Sequence, residues 1–320
     1  MADGKISDGA HPSPAGVDPH GMPSFVVIGA QKSASTFLQD QLSLHPDVEI
    51  PEGEVRFFEE PFYSQGAVAE LPSLFVRPAA GVRRGIKRPD YMGRPEIPAR
   101  LHEHLPEAKL LAVLREPVAR AVSSYFHMVR HGFVPLAPLD EAFRAILDGS
   151  WVSEFPRTPE ILTFGLYGEQ LARYLSLYRP EQLLVFEQRD LIADTRTKVR
   201  EAYAFIGVDP SFEVPQAANR VSNKGVYSYP RLRLLRTKNK TRFRYTPTMD
   251  RRYPKRMTPW GWLYNAGVVG LDRTVLSRFD DGRPPELSDR IRAEVRDYYA
   301  EDRQLLRTVL EGRDVHPDWL

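Results

Sequence analysis

Four consecutive apolar residues, Phe25-Val26-Val27-Ile28, closed by Gly29, form the first patterned stretch of the chain. A short β-branched run without polar alternation predicts a strand buried on both faces. A polar loop follows, then Thr36-Phe37-Leu38-Gln39-Asp40-Gln41-Leu42-Ser43-Leu44, whose apolar spacing is helical and which Pro46 stops. The order recurs. Lys109–Leu114 reads as a second buried strand, broken by Arg115-Glu116-Pro117. Pro117 suits the first turn of a helix that runs past Ser123 and Met128 to Gly132. Residues 182–187 read as a third strand, with a helix around Lys198 to Phe205 after it. A last helix spans residues 287–310, with apolar positions at Leu287, Ile291, Val295, Tyr298, Leu305 and Leu306. Strands alternating with helices predict an α/β fold of three layers, a mainly parallel sheet flanked by helices. There are no internal repeats.

Composition narrows the classes. The 320 residues are 42% hydrophobic, enough for a sizeable core, and the net charge is only +2, so any basic function is local. The absence of cysteine excludes disulfides, thiol catalysis and thiolate metal sites, and fits a cytoplasmic location. No run of about 18 apolar residues is present, so no membrane span is expected. Residues 1–22, rich in Gly, Pro, Asp and His, read as a disordered leader, and residues 23–320 as a single domain. Within it, residues 231–257 hold eleven Lys or Arg against one Asp, and Trp260, Trp262 and Tyr264 follow. Residues 226–265 therefore read as a basic and aromatic insertion or lid. This segment is equally compatible with a solvated face, and it lacks a recognisable nucleic-acid reading motif.

The loop Gly29-Ala30-Gln31-Lys32-Ser33-Ala34-Ser35-Thr36, between a buried strand and a helix N-terminus, is suited to an anion. Backbone N–H groups point into such a loop and the helix dipole favours negative charge. Lys32 adds a mobile cation; Ser33, Ser35 and Thr36 add hydroxyl donors. The spacing is not that of a nucleotide-triphosphate loop. Counted from Gly29, the second glycine falls on Ala34 and the lysine on Ser35, and the second strand ends in Arg115 rather than a magnesium-holding Asp. By itself the loop is equally an ordinary polar turn. His127 and His131, four apart on one helix face, have neither the adjacent Glu nor the third ligand of a zinc site.

The chain resembles the PAPS-dependent sulfotransferases over residues 24–225, nearest the heparan sulfate glucosaminyl 3-O-sulfotransferase-like branch, as a soluble, bacterial-type member. The matching words are Gly29-Ala30-Gln31-Lys32, Leu42-Ser43-Leu44-His45-Pro46-Asp47-Val48, Glu54-Val55-Arg56-Phe57-Phe58 and Tyr63-Ser64-Gln65-Gly66. Lys87-Arg88-Pro89-Asp90-Tyr91 and Leu114-Arg115-Glu116-Pro117 follow, with Ser123 eight residues after Arg115, and a late Gly312-Arg313-Asp314 near Trp319 resembles the family's ending. Two positions depart from the pattern: Ala34 stands where the family often has glycine, and Arg56 where the branch has histidine.

The resemblance implies a P-loop-like fold and transfer of a sulfuryl group from 3′-phosphoadenosine 5′-phosphosulfate (PAPS) to a hydroxyl or amine, with no metal required. It implies Glu54 as general base, and Lys32 and Lys87 beside the leaving phosphate. A carboxylate shielded by Phe57 and Phe58 would suit work near neutrality. Gln31 to Thr36, including Ser33 and Ala34, would cradle the donor, Arg115 and Ser123 would hold its 3′-phosphate, and Lys224 with Gly225 would close over it. The alternative for Arg115 is an ion pair with Glu116 or Glu187. Arg56, Phe58, Asp90 and Trp260 are expected on the acceptor side. The acceptor is expected to be a glycan, glycolipid or secondary metabolite rather than nucleic acid, with the oligomeric state open. Two other classes remain: a magnesium-dependent small-molecule kinase, and a non-catalytic polyanion binder using the basic segment.

Overall fold

A computed structural model of the protein describes residues 21–78, 81–213, 225–280 and 282–320. The expected leader, apart from Gly21 and Met22, lies outside these residues. Strands β1 (Phe25–Gly29), β2 (Val48–Glu49), β3 (Arg83–Lys87), β4 (Lys109–Leu114) and β5 (Leu183–Glu187) form one sheet in the order β2-β3-β1-β4-β5. Every pairing in it is parallel. β1 is central because all five of its residues are buried. Its alternate side chains supply two different cores. Val26 and Ile28 pack with Leu110, Ala112 and Val185 on one face. Phe25 and Val27 pack with Leu111, Val113 and Phe186 on the other. The unalternating apolar runs are thus two alternating patterns superposed.

Helices α1 (Ser35–Leu42), α2 (Gln65–Ala69) and α3 (Ile97–His104) lie in the first half of the chain. After β4 come α4 (Pro117–His131), α5 (Leu139–Leu147), α6 (Glu160–Thr163) and α7 (Tyr167–Leu175), and after β5 come α8 (Gln188–Ala193) and α9 (Thr195–Ile206). α1 and α9 cover one face of the sheet. α3, α7 and the C-terminal α14 (Ala300–Leu310) cover the other. α4 starts as the sequence requires: Pro117 is its first residue, and the Glu116 carboxylate accepts from the amides of Val118 and Ala119 at 3.1 and 2.6 Å. Gly132, at φ +80°, ends it.

A third apolar cluster joins α4 and α5 to α10 (Tyr229–Thr237) and α13 (Asp289–Tyr298). The segment between α10 and α13 holds α11 (Asn239–Arg242), an antiparallel hairpin of β6 (Phe243–Tyr245) and β7 (Arg252–Pro254), and α12 (Pro259–Thr274). The single helix expected over residues 287–310 is two helices meeting at Tyr299. Ile291 and Val295 serve the third cluster, whereas Leu306 and Leu310 serve the main core. One straight helix could not face both. α14 docks on α7, where Asp302 accepts from the amides of Gly168 and Glu169 at 3.0 and 2.8 Å. The C-terminus is tied to β5, with Arg313 donating to the Leu183 carbonyl at 2.7 Å and Trp319 Nε1 to Glu187 Oε1 at 2.9 Å.

Candidate active site

The strand order reverses on either side of β1, and parallel strands place ligands at their C-terminal ends beside such a point. Four strand ends converge there: Gly29 closes β1, Lys87 closes β3, Arg115 follows β4 and Gln188 follows β5. A cleft of about 770 Å³ opens at this edge. Gly29 belongs there because a side chain would meet Met92 Cβ at 2.7 Å and the Pro89 carbonyl at 3.0 Å.

Lys32 and Ala34 adopt the left-handed conformation, at φ 67° and 72°. Neither is glycine, so the turn is held against a cost of about 1–2 kcal/mol per residue. This is what the Ala34 departure means physically: the loop keeps the bend for which glycine is the unstrained residue. Ala34, Ser35 and Thr36 line the cleft with Gln31 and Lys32. Ser33 does not; it is fully buried beneath the loop, and its N–H bonds to the Ala30 carbonyl at 3.3 Å. Gln31 is fixed from both sides, donating to Asp90 Oδ1 at 2.9 Å and accepting from Ser124 Oγ at 3.1 Å.

Lys87, nearly fully buried, donates to Thr36 Oγ1 at 3.0 Å and lies 3.9 Å from Glu54 Oε1. Burial pulls its pKa down, and Glu54 opposes that. The Glu54 side chain is 36% exposed and also bonds to Arg88 Nη1. Phe58 does not supply the expected apolar shield. Phe58 is fully buried against Tyr91 in the core, outside the cleft, and Glu54 faces two cations instead. Arg88 draws the acidic wall together: it is bidentate to Glu59 at 2.6 and 3.0 Å and reaches Asp90 at 2.8 Å. Burial disfavours its charge, but Asp90, Glu59 and Glu54 together hold it protonated. Buried Asp90 is likewise kept ionised by Arg88, Arg157 and Arg94 against its burial.

At the other end, Arg115 donates to the Lys32 carbonyl at 3.3 Å. Neither expected carboxylate neutralises it, because Glu116 caps α4 and Glu187 accepts from Trp319. Ser123 lies on α4 facing the same space and accepts from Tyr227 Oη at 3.4 Å, with Gly225 and Val226 beside it. Lys224 and its neighbour Asn223 lie outside the described residues. Lys32 is lowered to about 8, by burial first and then by Arg115 and Arg130. Its Nζ lies 3.5 Å from His127 Nδ1. His127 and His131 stack edge-on at 4.3 Å. Burial and the surrounding cations hold both neutral, His131 at about 2 and His127 well below the usual imidazole range. Among the described residues no three His, Asp or Glu side chains are grouped to hold a metal.

Arg56, Asp90 and hairpin residues Arg251, Arg252 and Tyr253 complete the cleft. Trp260 does not reach it; it stands 79% exposed on α12. Sequence reasoning passed over Arg88, Arg157 and Tyr227. Arg88 lay within the quoted Lys87-Arg88-Pro89-Asp90 word, where its invisible feature was the set of three acids it meets in space.

A family model described as Sulfotransferase domain matches residues 22–245, well over half of the chain. The chain belongs to the sulfotransferase family. This sulfotransferase-family chain is similar to the bifunctional heparan sulfate N-deacetylase/N-sulfotransferase 4 of Mus musculus, 29% identical over 216 residues, covering 64% of this chain and 24% of that protein. It is similar also to the heparan sulfate glucosamine 3-O-sulfotransferase 6 of Homo sapiens, 29% identical over 186 residues, covering 58% and 52%. Among solved structures it resembles a sulfotransferase from Alicyclobacillus acidocaldarius, with TM-score 0.51 and 28% identity, covering 62% of this chain and 88% of that one. The chain thus spans between a quarter and about half of the two curated relatives. Membership favours the first of the three classes weighed from sequence over the kinase and the polyanion binder.

Proposed function

We propose that this chain transfers a sulfuryl group from PAPS to a hydroxyl or amine of a glycan, glycolipid or secondary metabolite, in the cytoplasm. The observation that carries the reading is the position of Lys87. Its ammonium stands between Thr36 Oγ1 of the strand-to-helix loop and the Glu54 carboxylate. One cation thereby links the group that would bind a 5′-phosphosulfate to the group that would take the acceptor proton.

In this reading Glu54 accepts the proton as the acceptor oxygen or nitrogen bonds to sulfur. The sulfur–oxygen bond to the 5′-phosphate breaks, and Lys87 and Lys32 meet the charge that builds on the departing phosphate. The loop amides and the hydroxyls of Ser35 and Thr36 hold that phosphate. Arg115 and Ser123 hold the 3′-phosphate, with Gly225 beside it, and Arg115 is available because, among the described residues, no carboxylate pairs with it. Arg88 keeps Glu54 turned toward Lys87, and Arg56, Asp90 and the β6–β7 hairpin form the acceptor side. Residues 23–320 act as one domain, with residues 226–265 as its acceptor platform.

Calorimetry with adenosine 3′,5′-bisphosphate in the presence of a chelator is the direct test, and absence of binding would falsify the reading. Glu54→Gln is expected to keep the bisphosphate affinity within a few-fold while turnover falls by about 10²- to 10⁴-fold. Near-normal turnover in that variant removes Glu54 from the role.

A further inference from the structure

Helix α12 is inside out. The residues it buries are Asn265, Val268 and Asp272, two of them polar. Asn265 donates to Thr241 Oγ1 at 2.6 Å, and Asp272 pairs with Arg231 at 2.8 and 3.0 Å. Its outward positions carry the apolar pattern instead. Trp260, Leu263, Tyr264, Gly267 and Leu271 recur at i, i+3, i+4, i+7 and i+11, and all are exposed. Trp262, at i+2 and so on another side of the helix, is 64% exposed, and Phe279, in the turn that follows, 84%. Scattered apolar side chains on a surface are ordinary; one aligned face carrying Trp260, Leu263, Tyr264 and Leu271 is not.

The ground around this face is strongly basic. Residues 231–280 hold thirteen Lys or Arg and three Asp, in a chain whose net charge is +2. The three Asp are already engaged: Asp272 and Asp280 with Arg231, and Asp250 with Thr246 and Thr248. Lys255, Arg256, Arg273 and Arg278 flank the apolar residues and are exposed.

We propose that this face docks the protein on an anionic lipid bilayer. The α12 face with Phe279 enters the headgroup region, and Lys255, Arg256, Arg273 and Arg278 meet anionic headgroups. A helix with a convex apolar face, interfacial Trp and Tyr, and flanking cations matches the chemistry of that surface. Two other occupants fit less well. A second copy packed through the same face would set this basic segment against itself. A nucleic acid would leave the apolar centre facing phosphates. The docking stands apart from the transfer reaction, but it has a geometric consequence. The β6–β7 hairpin, whose Arg251, Arg252 and Tyr253 line the cleft, leads into α12 after four residues. Docking would set the cleft mouth near the bilayer surface, where an amphiphilic acceptor is presented.

Flotation of the full chain with phosphatidylcholine vesicles, with and without about 30% phosphatidylglycerol, tests the proposal. The expected result is flotation with the anionic vesicles alone, a blue shift of Trp emission, and loss of both in high salt. Leu263→Glu combined with Leu271→Glu should weaken partitioning at least about a hundredfold, and Lys255→Gln with Arg256→Gln about thirtyfold. Both pairs should keep the wild-type affinity for adenosine 3′,5′-bisphosphate, which reports an intact fold. The proposal is overturned if the wild-type chain ignores anionic vesicles, or if the leucine pair binds them as well as wild type. It is equally overturned if light scattering shows self-association through this face that the leucine pair abolishes. Should that pair misfold, Phe279→Ser, at a side chain free of the core, replaces it.

Discussion

A lysine lowered to about 8, beside an arginine that pairs with no carboxylate among the described residues, is a site suited to an anion. Lys32 owes that shift to burial and to Arg115 and Arg130, so a bound dianion should reverse it. Binding of adenosine 3′,5′-bisphosphate at pH 8–9 should therefore take up part of a proton, and affinity should fall as pH rises above about 8. Calorimetry in buffers of different ionisation enthalpy measures the uptake, and Lys32→Arg should abolish it. The sign for the free protein is the opposite. The folded pKa lies below the ordinary lysine value of 10.5, so the unfolded chain binds more protons between about pH 8 and 10.5, and this group adds stability as pH rises through that window. Arg115→Lys keeps the charge but loses the planar fork. We expect about tenfold weaker bisphosphate binding, near 1.4 kcal/mol, with the melting temperature of the free protein unchanged. Equal affinity removes Arg115 from the 3′-phosphate.

Among the elements, β1, β4 and β5 were legible because burial on both faces leaves a continuous apolar run. β3 was not. Its Arg83-Arg84-Gly85-Ile86-Lys87 carries three cations, yet four of the five residues are buried. Arg84 is covered by stacking on Phe75 and lies 3.7 Å from Glu49, and a Cβ at Gly85 would fall 2.1 Å from Phe25 Cζ. None of these partners is near in sequence. The α7–α14 contact is similar: a Cβ at Gly168 would fall 2.6 Å from the Asp302 carbonyl oxygen. Gly168→Ala should push α14 away and destabilise the fold by about 1–3 kcal/mol, read from denaturant midpoints. An unchanged midpoint would mean that the two helices slide without cost.

Across the whole molecule, the chain divides its charge. Its small net value hides a basic segment that supplies one wall of the cleft through the β6–β7 hairpin and the apolar face of α12 on the outside. If the hairpin is the acceptor platform, raising ionic strength from about 50 to 300 mM should raise KM for an anionic acceptor several-fold. KM for the donor should change little, because partly buried contacts are screened less. Equal responses would return the hairpin to the status of a solvated face. Among the described residues no helix is long and apolar enough to cross a membrane.

The sequence by itself determined the alternation of strand and helix, the loop at the end of β1, and an ordered set of words that named the family. Each of these is a local property: the period of apolar residues, a proline or glycine at an element's end, the spacing within a motif. Tertiary structure decided which side chains meet. It turned Ser33 and Phe58 inward and left Trp260 on the outer surface. It placed Lys87 between Thr36 and Glu54, and gathered Glu54, Glu59 and Asp90 around Arg88. Apart from the Arg88–Asp90 contact, those outcomes depend on strand order and on close approach between residues tens of positions apart, which no local pattern carries.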